Sequence, residues 1–270
     1  MRVFVIIASL LAVGWAIAGG TIGGLAQSVG GGSGALVSGQ LPATATNDNA
    51  SAGNLGEYVT SSCTGPANTA TVTITIAAPG VISWTAHGYT TACPVVFTTT
   101  GTLPTGITAG TVYWVVPSSV SANSFTIATS VANALAGTQI TTTGSQSGTQ
   151  TGTGGAAAAT GTPINMTGLA LTGGDWDCSA GLTRGLGATT SVTLLKTSFN
   201  TTSATDGVLA TGTMSQFSTA ANIMALDHTE LLGPVRFSLS TTTNVYLVLD
   251  DTFTASTNKG YGIMRCRRAR

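Results

Sequence analysis

The densest group of side chains that could do chemistry is the run Asp227-His228-Thr229-Glu230, which combines two carboxylates with an imidazole. Oxygen and nitrogen ligands of this kind suit a divalent cation. Four consecutive residues rarely converge on one ion, so a solvated loop is the favoured interpretation of the run. We therefore predict no metal site and no cofactor for this chain.

A catalytic carboxylate pair is the next possibility. Polysaccharide hydrolysis needs two such groups about 5–10 Å apart, and only the C-terminal part of the chain offers candidates: Asp175, Asp177, Asp227 and Glu230. The chain has no nucleophile elbow, phosphate-binding loop or zinc-protease helix motif. We predict that the protein is not an enzyme and has no catalytic residues. A polysaccharide-cleaving spike is the alternative.

The scarcity of charge supports that prediction. Charged residues make up 7% of the chain, against about 25% in an average soluble protein. The only charged residues that precede Asp175 are Arg2, Asp48 and Glu57. The imidazole of His87 has no carboxylate near it in sequence, so this residue is interpreted as part of a turn.

Basic residues are concentrated at the C-terminus, at Arg265, Arg267, Arg268 and Arg270. Over the whole chain nine basic residues balance nine acidic ones, whereas nucleic-acid binding draws its affinity from many Lys and Arg contacts. We expect no nucleic-acid partner. These arginines are interpreted as part of a final strand that lines a subunit interface or a solvent face, with a basic tail for an acidic partner as the alternative.

An apolar segment over residues 1–29 predicts an N-terminal hydrophobic helix. Its small-residue triplet Ala16-Ile17-Ala18 matches a secretory signal peptide cleaved before Gly19. The uncharged stretch from Val3 to Ala26 is also long enough to span a bilayer, which takes about 20 residues. A cleaved signal and a retained anchor both stay open.

Composition divides the remaining chain into linkers and β domains. Residues 30–68 are rich in Gly, Ser, Ala and Thr, which is typical of a flexible linker. Short β-branched runs bounded by turn residues predict a first antiparallel β domain over 69–143. A low-complexity stretch at 144–161 predicts a second linker, and about seven further strands predict a β-sandwich over 162–270. The predicted fold class is therefore all-β, with two antiparallel domains after the helix.

Alternation within two strands of the predicted sandwich assigns side chains to faces. Trp176, Cys178 and Leu182 share one face of their strand, where core residues belong. In the last strand, Cys266 lies on the face opposite to a mixed row, which consists of Tyr261, Ile263, Arg265 and Arg267.

The four cysteines show no C-x-x-C spacing, so zinc binding and thioredoxin-like chemistry are not predicted. An exported chain would pair Cys63 with Cys93 and Cys178 with Cys266, one disulfide in each β domain. In a reducing cytoplasm all four would instead be small buried hydrophobic residues.

Three phrases in the first β domain resemble a β module found in bacteriophage tail and virion proteins. They are W-x-A-H-G at Trp84–Gly88, P-V-V-F at Pro94–Phe97 and L-P-T-G-I-T-A-G-T-V-Y at Leu103–Tyr113. The segment L-A-L-T-G-G-D-W-D-C-S-A-G from Leu169, with the ending Y-G-I-M-R-C-R-R-A-R, is similar to C-terminal jelly-roll-like domains of phage structural proteins. The resemblance implies a jelly-roll-like sandwich and a virion component such as a tail fibre, spike or head decoration protein.

Further expectations follow from this resemblance. It implies a homotrimer that attaches to other virion proteins through the N-terminal segment, and it implies free thiols, because phage virions assemble in the reducing cytoplasm. A hydroxyl-rich, uncharged surface suits contact with a host surface glycan through stacking and hydrogen bonds. An exported bacterial surface adhesin with a cleaved signal peptide is the alternative. The aromatic residues expected at a glycan contact are Trp84, Tyr89, Tyr113 and Trp114, although aromatics at strand spacing are more often core residues.

Overall fold

The computed structural model describes residues 52–63, 69–157, 159–187, 189–218, 228–254 and 258–269. These residues belong to one compact unit, and their regular secondary structure is almost entirely β-strand, which confirms the all-β fold class. The helix predicted over residues 1–29 lies outside the described residues. Among the described residues, no helix combines the length and the hydropathy needed to cross a membrane.

The described chain begins with strand β1 and continues into a six-stranded antiparallel barrel. The barrel closes in the order β2-β3-β6-β5-β4-β7. Its core is formed by apolar side chains that alternate inward along the strands, among them Val72, Ile82 and Phe97. The strand bounds are β1 (Tyr58–Ser62), β2 (Thr69–Ile74), β3 (Val81–Ser83), β4 (Pro94–Thr99), β5 (Val112–Val115), β6 (Ser124–Ala128) and β7 (Gln150–Gly154).

Strand β7 corrects the prediction of a linker over 144–161. It pairs with both β2 and β4 and so closes the barrel. Its sequence QTGTG hides the alternation, because the inward positions after Gln150 are glycines. Gly152 faces Trp84, and a Cβ atom at this position would lie 2.5 Å from the indole ring. A bulky side chain has no room here, so a core strand looks like low-complexity sequence.

The remaining strands form two sheets that pack face to face. The first sheet has the order β1-β16-β10-β13 with β8 beside β16, and the second has the order β12-β11-β14-β9 with β15 beside β11. The strand bounds are β8 (Ala156–Ala157), β9 (Ile164–Leu171), β10 (Gly174–Leu186), β11 (Ser191–Asn200), β12 (Met214–Ser218), β13 (His228–Leu239), β14 (Thr243–Leu249), β15 (Thr252–Thr254) and β16 (Asn258–Arg268).

The sandwich core takes side chains from both sheets. Trp176 and Leu182 from the first sheet meet Phe199 and Leu247 from the second in one buried cluster. The long strands β9, β10, β11, β13, β14 and β16 alternate between the two sheets, so the chain passes repeatedly from one sheet to the other. Strand β1 belongs to this sandwich although it lies within the predicted linker 30–68. The finer jelly-roll assignment stays a prediction.

The barrel and the sandwich share a third apolar cluster. Trp114 and Val116 from the barrel pack with Tyr246 and Val248 of β14, and the short helix α1 (Val131–Leu135) contributes Val131 and Ala134 to the same cluster. This shared interior shows that the described barrel and sandwich are packed directly against each other.

Both pairs of cysteines form disulfides, so the expectation of free thiols is wrong. Cys178 and Cys266 lie opposite each other in β10 and β16, with their Cα atoms 4.1 Å apart. Cys63 follows β1, and its Cα lies 5.3 Å from that of Cys93 in the barrel. The Cys63–Cys93 disulfide therefore connects the end of a sandwich strand to the barrel and is not confined to one domain.

The close approach of Gly152 to Trp84 generates a prediction about stability. Replacing Gly152 with Ala should lower the free energy of unfolding by about 1–3 kcal/mol, because the added methyl overpacks the barrel core. Gly233 is the matched control, since a Cβ there would meet no heavy atom within 4 Å, and its replacement by Ala should change stability by less than about 0.5 kcal/mol. Urea unfolding of both variants measures the difference, and equal effects would contradict the packing argument.

Candidate functional site

The four aromatic residues predicted to contact a glycan lie in the interior. Trp84, Tyr89, Tyr113 and Trp114 are each at most 9% exposed. The Trp84 and Tyr89 rings pack edge to face at 5.6 Å, while Trp114 belongs to the cluster shared with the sandwich. Because no ring face is open to solvent, these residues cannot stack on a sugar, and the prediction is corrected.

His87 is buried beside these rings, and it directly follows the turn at residues 85–86 in which it was expected to lie. Its Nδ1 accepts a hydrogen bond from the backbone N–H of Tyr89, at 3.0 Å. Its Nε2 lies 2.8 Å from the backbone oxygen of Ser121. A carbonyl oxygen only accepts, so the ring carries its proton on Nε2. Both nitrogens are occupied by backbone groups, and His87 orders the loop.

The run from Asp227 is not the solvated loop expected for it, at least from its second residue onward. His228 begins strand β13, and Glu230 points into the sandwich, where it is buried. Asp227 lies outside the described residues. In the described ranges, no group of three or more His, Cys, Asp or Glu side chains is placed to hold a metal ion.

Glu230 belongs to a buried ionic cluster built around Arg184. The Arg184 guanidinium is fully buried, and its Nε and Nη2 donate to the two carboxylate oxygens of Asp251, at 2.7 and 3.0 Å. Its Nη1 lies 3.2 Å from Glu230 Oε2. The Thr197 hydroxyl donates to the same Glu230 oxygen, and the Asn258 amide donates to Asp251. The cluster therefore connects the first sheet to the second through charge-assisted hydrogen bonds.

A second ionic group continues the cluster toward solvent. The Lys196 ammonium lies 2.6 Å from Asp250 Oδ2 and 2.9 Å from Asp206 Oδ2. The hydrogen bond to Asp250 raises the pKa of Lys196, whereas burial raises the pKa of Asp206. Asp250 and Asp251 are consecutive and contact different cations: Asp250 binds Lys196 within the second sheet, whereas Asp251 binds Arg184 of the first sheet.

The candidate carboxylates Asp175 and Asp177 lie on the outer face of the first sheet. Both face Arg236 of β13, with Asp177 Oδ1 2.5 Å and Asp175 Oδ2 4.0 Å from guanidinium nitrogens. The hydrogen bond to Asp177 raises the pKa of Arg236. Four acids were candidates for a catalytic pair. Asp175 and Asp177 share Arg236 on the outer face of the sheet, whereas Glu230 pairs with Arg184 in the interior of the sandwich.

A groove lies on this outer face of the first sheet. It has a volume of about 460 Å³ and lies across β13, β10 and β16. Gly181 forms its floor, because it lies opposite both Leu231 and Ile263 in the ladder and has no side chain. Leu231 is 76% exposed, and the hydroxyls of Thr183 and Thr229 are 2.8 Å apart in the next row.

Alternation in the last strand already indicated part of this site. Ile263 and Arg265 line the groove together with Tyr261, and all three belong to the row that was placed opposite Cys266. Sequence reasoning missed Leu231 and Gly181, since only the pairing of distant strands brings them beside Ile263. Arg265 and Arg267 are exposed, whereas Arg268 is buried.

Comparison with known proteins assigns no family. No protein-family model and no curated protein matches the chain. A chain in the structure of infectious bursal disease virus, Gx strain, is similar to it at 9% sequence identity and a TM-score of 0.27. The likeness covers 77% of this chain and 55% of that chain, so this protein spans about half the length of its structural neighbour. A TM-score this low carries no functional argument.

The two buried tyrosines generate a paired prediction. The Tyr89 hydroxyl has no hydrogen-bond partner among the described residues, whereas the Tyr113 hydroxyl accepts a hydrogen bond from the Thr108 N–H at 2.8 Å. Replacing Tyr113 with Phe should cost about 1 kcal/mol at neutral pH, and replacing Tyr89 with Phe should be neutral or stabilising.

Alkaline titration extends the tyrosine test. Burial raises the pKa of Tyr89, so above about pH 10 the unfolded chain releases a proton that the folded chain keeps. Stability should therefore fall as pH rises past that value, and less steeply in the Tyr89→Phe variant. Urea unfolding between pH 7 and alkaline pH measures this slope, and an unchanged slope would contradict the assignment.

The buried ionic cluster generates a third prediction. Replacing Arg184 with Met leaves Asp251 and Glu230 buried without their cation and should destabilise the fold by about 3–5 kcal/mol. Replacing Arg236 with Met removes an arginine that is 49% exposed on its side chain and should cost less than about 1 kcal/mol. Thermal and urea unfolding compare the two, and similar small losses would show that the Arg184 cluster is not a structural centre.

Proposed function

We propose that this chain is a non-enzymatic structural component of a bacteriophage virion, of the fibre, spike or decoration type, that contacts the host surface. The observation that carries the proposal is the use of its carboxylates. Every described Asp and Glu lies within 4.0 Å of an Arg or Lys, in pairs that join strands and connecting segments of the sandwich. Acids held in this way stabilise a scaffold and are poorly placed for proton transfer.

The barrel supports the same proposal. Residues 69–154, which include all six barrel strands, contain no Asp, Glu, Lys or Arg, so the barrel offers packing, hydroxyls and backbone to a partner. The phrases at Trp84–Gly88 and Leu103–Tyr113, which resemble phage virion modules, lie in this barrel. Attachment through the N-terminal segment and assembly as a homotrimer belong to this proposal.

An exported bacterial surface adhesin is the second candidate, and the two disulfides favour it. Disulfides persist in oxidising compartments such as the periplasm and the cell surface and are rare in the cytosol. The pairs Cys63–Cys93 and Cys178–Cys266 are those expected for an exported chain. A virion protein could acquire the same bonds after lysis, so the compartment of the mature chain separates the candidates.

Mass spectrometry of purified phage particles and of the host envelope tests both candidates. The virion proposal predicts the protein in salt-washed particles at a constant copy number per particle. The adhesin candidate predicts it in the envelope, with a mature chain that begins at Gly19 and a mass lower than that of the reduced chain by four hydrogens. Absence from particles together with presence in the envelope would overturn the virion proposal.

A further inference from the structure

The ion pairs of the described residues use every carboxylate but not every cation. The seven described carboxylates are taken by only four cations: Arg184, Lys196, Arg236 and Arg268. The other three described basic residues make no ion pair with any described residue. They are Lys259, Arg265 and Arg267.

All three unpaired cations lie on one face of one strand. Successive side chains of a strand point to opposite faces, and residues 259, 265 and 267 of β16 share the outward parity, as do Tyr261 and Ile263. The side chains of the intervening residues Met264 and Cys266 are buried in the sandwich. At about 3.3 Å per residue, the row from Lys259 to Arg267 spans about 26 Å.

This basic row, defined as the outward residues of β16 from Lys259 to Arg267, borders the groove. Arg265 and Tyr261 both line it, about 13 Å apart along the strand. Between them the groove presents an apolar surface at Ile263 and Leu231 over the glycine floor. The Thr183 and Thr229 hydroxyls add donors and acceptors beside Tyr261. The site therefore combines positive charge, an apolar platform and hydroxyls.

These features select among anionic partners. A second copy of the described chain offers no carboxylate outside an ion pair, so it provides no charge complement. Nucleic-acid binding draws its affinity from many Lys and Arg contacts to phosphates, whereas this row has three cations. The cations of the row are spread over about 26 Å, with an apolar surface between Lys259 and Arg265. This arrangement suits an acidic polysaccharide, in which ring C–H faces and hydroxyls separate the carboxylates.

We infer that the groove and the basic row of β16 form a binding site for a carboxylate-bearing oligosaccharide. Arg265 and Arg267 pair with its carboxylates, Tyr261 and Ile263 contact the ring faces, and the Thr183 and Thr229 hydroxyls bond its hydroxyl groups. The inference rests on the proposed function, since it names the class of surface molecule that the protein contacts.

Calorimetric titration of the full-length protein with an oligogalacturonate tests the site. The wild type should bind it, with an affinity that falls as salt increases. Arg265→Gln and Arg267→Gln should each weaken binding about threefold, as expected for exposed charge pairs. The triple variant with Lys259→Gln should weaken it more than about tenfold, and Tyr261→Ala should also weaken it. All variants should keep the wild-type unfolding midpoint within a few degrees, since these side chains lie outside the core.

The matched control is Thr111→Glu, which makes the same change in net charge at an exposed position on the barrel. It should leave binding unchanged. Equal weakening by Thr111→Glu would overturn the inference in favour of a net-charge effect. So would equal binding of the carboxyl-reduced oligosaccharide, tighter binding of a short single-stranded oligonucleotide, or no binding at all. Presence in phage particles is measured independently, so failure of the saccharide site leaves the virion proposal standing.

Discussion

The Arg184 guanidinium lies between the two sheets of the sandwich, and the rest of the domain depends on its contacts. Removing a charge from water costs several kcal/mol unless its partners are in place. The contacts of Arg184 come from β11, β13 and the turn after β14, and Asn258 at the start of β16 donates to its partner Asp251. The ion therefore has this set of contacts only when all four segments are correctly registered. In a chain rich in interchangeable Thr, Ser and Gly, this requirement distinguishes the native pairing from a strand shifted by one residue, which would turn Arg184 outward.

The strand faces of the sandwich could be predicted from the sequence, because alternation is a local property. Trp176, Cys178 and Leu182 are all buried in the core, and the row beginning at Tyr261 lies on the other face of its sheet, as predicted. What alternation cannot supply is the partner of each strand. The tight approach of Gly152 to Trp84 joins residues 68 positions apart, and it makes a glycine-rich segment into the strand that closes the barrel.

The candidate site was less predictable than the fold, because the sequence does not show which charged residues form ion pairs. The sequence places most ionisable residues in the C-terminal half, but it does not say which of them neutralise each other. Asp227 through Glu230 resembled an exposed cluster, yet Glu230 is a buried partner of Arg184. The aromatic residues were expected at the surface but lie inside. Trp84 and Tyr89 belong to the barrel core, and a glycan contact through their rings would require the core to be exposed.

Arg267 and Arg268 show how far folding and recognition are separated in this protein. Arg268 points inward, where it lies 4.4 Å from the centre of the Trp176 ring and bonds Glu57 at 3.1 Å, so it joins β1 and β10 to the last strand. Arg267, one residue earlier, points outward and makes no ion pair with the described residues. Because adjacent residues of one strand serve the core and the surface separately, the outward row can change its charge with little effect on the core. A scaffold stabilised in this way can keep its fold while the chemistry of the surface that it presents changes.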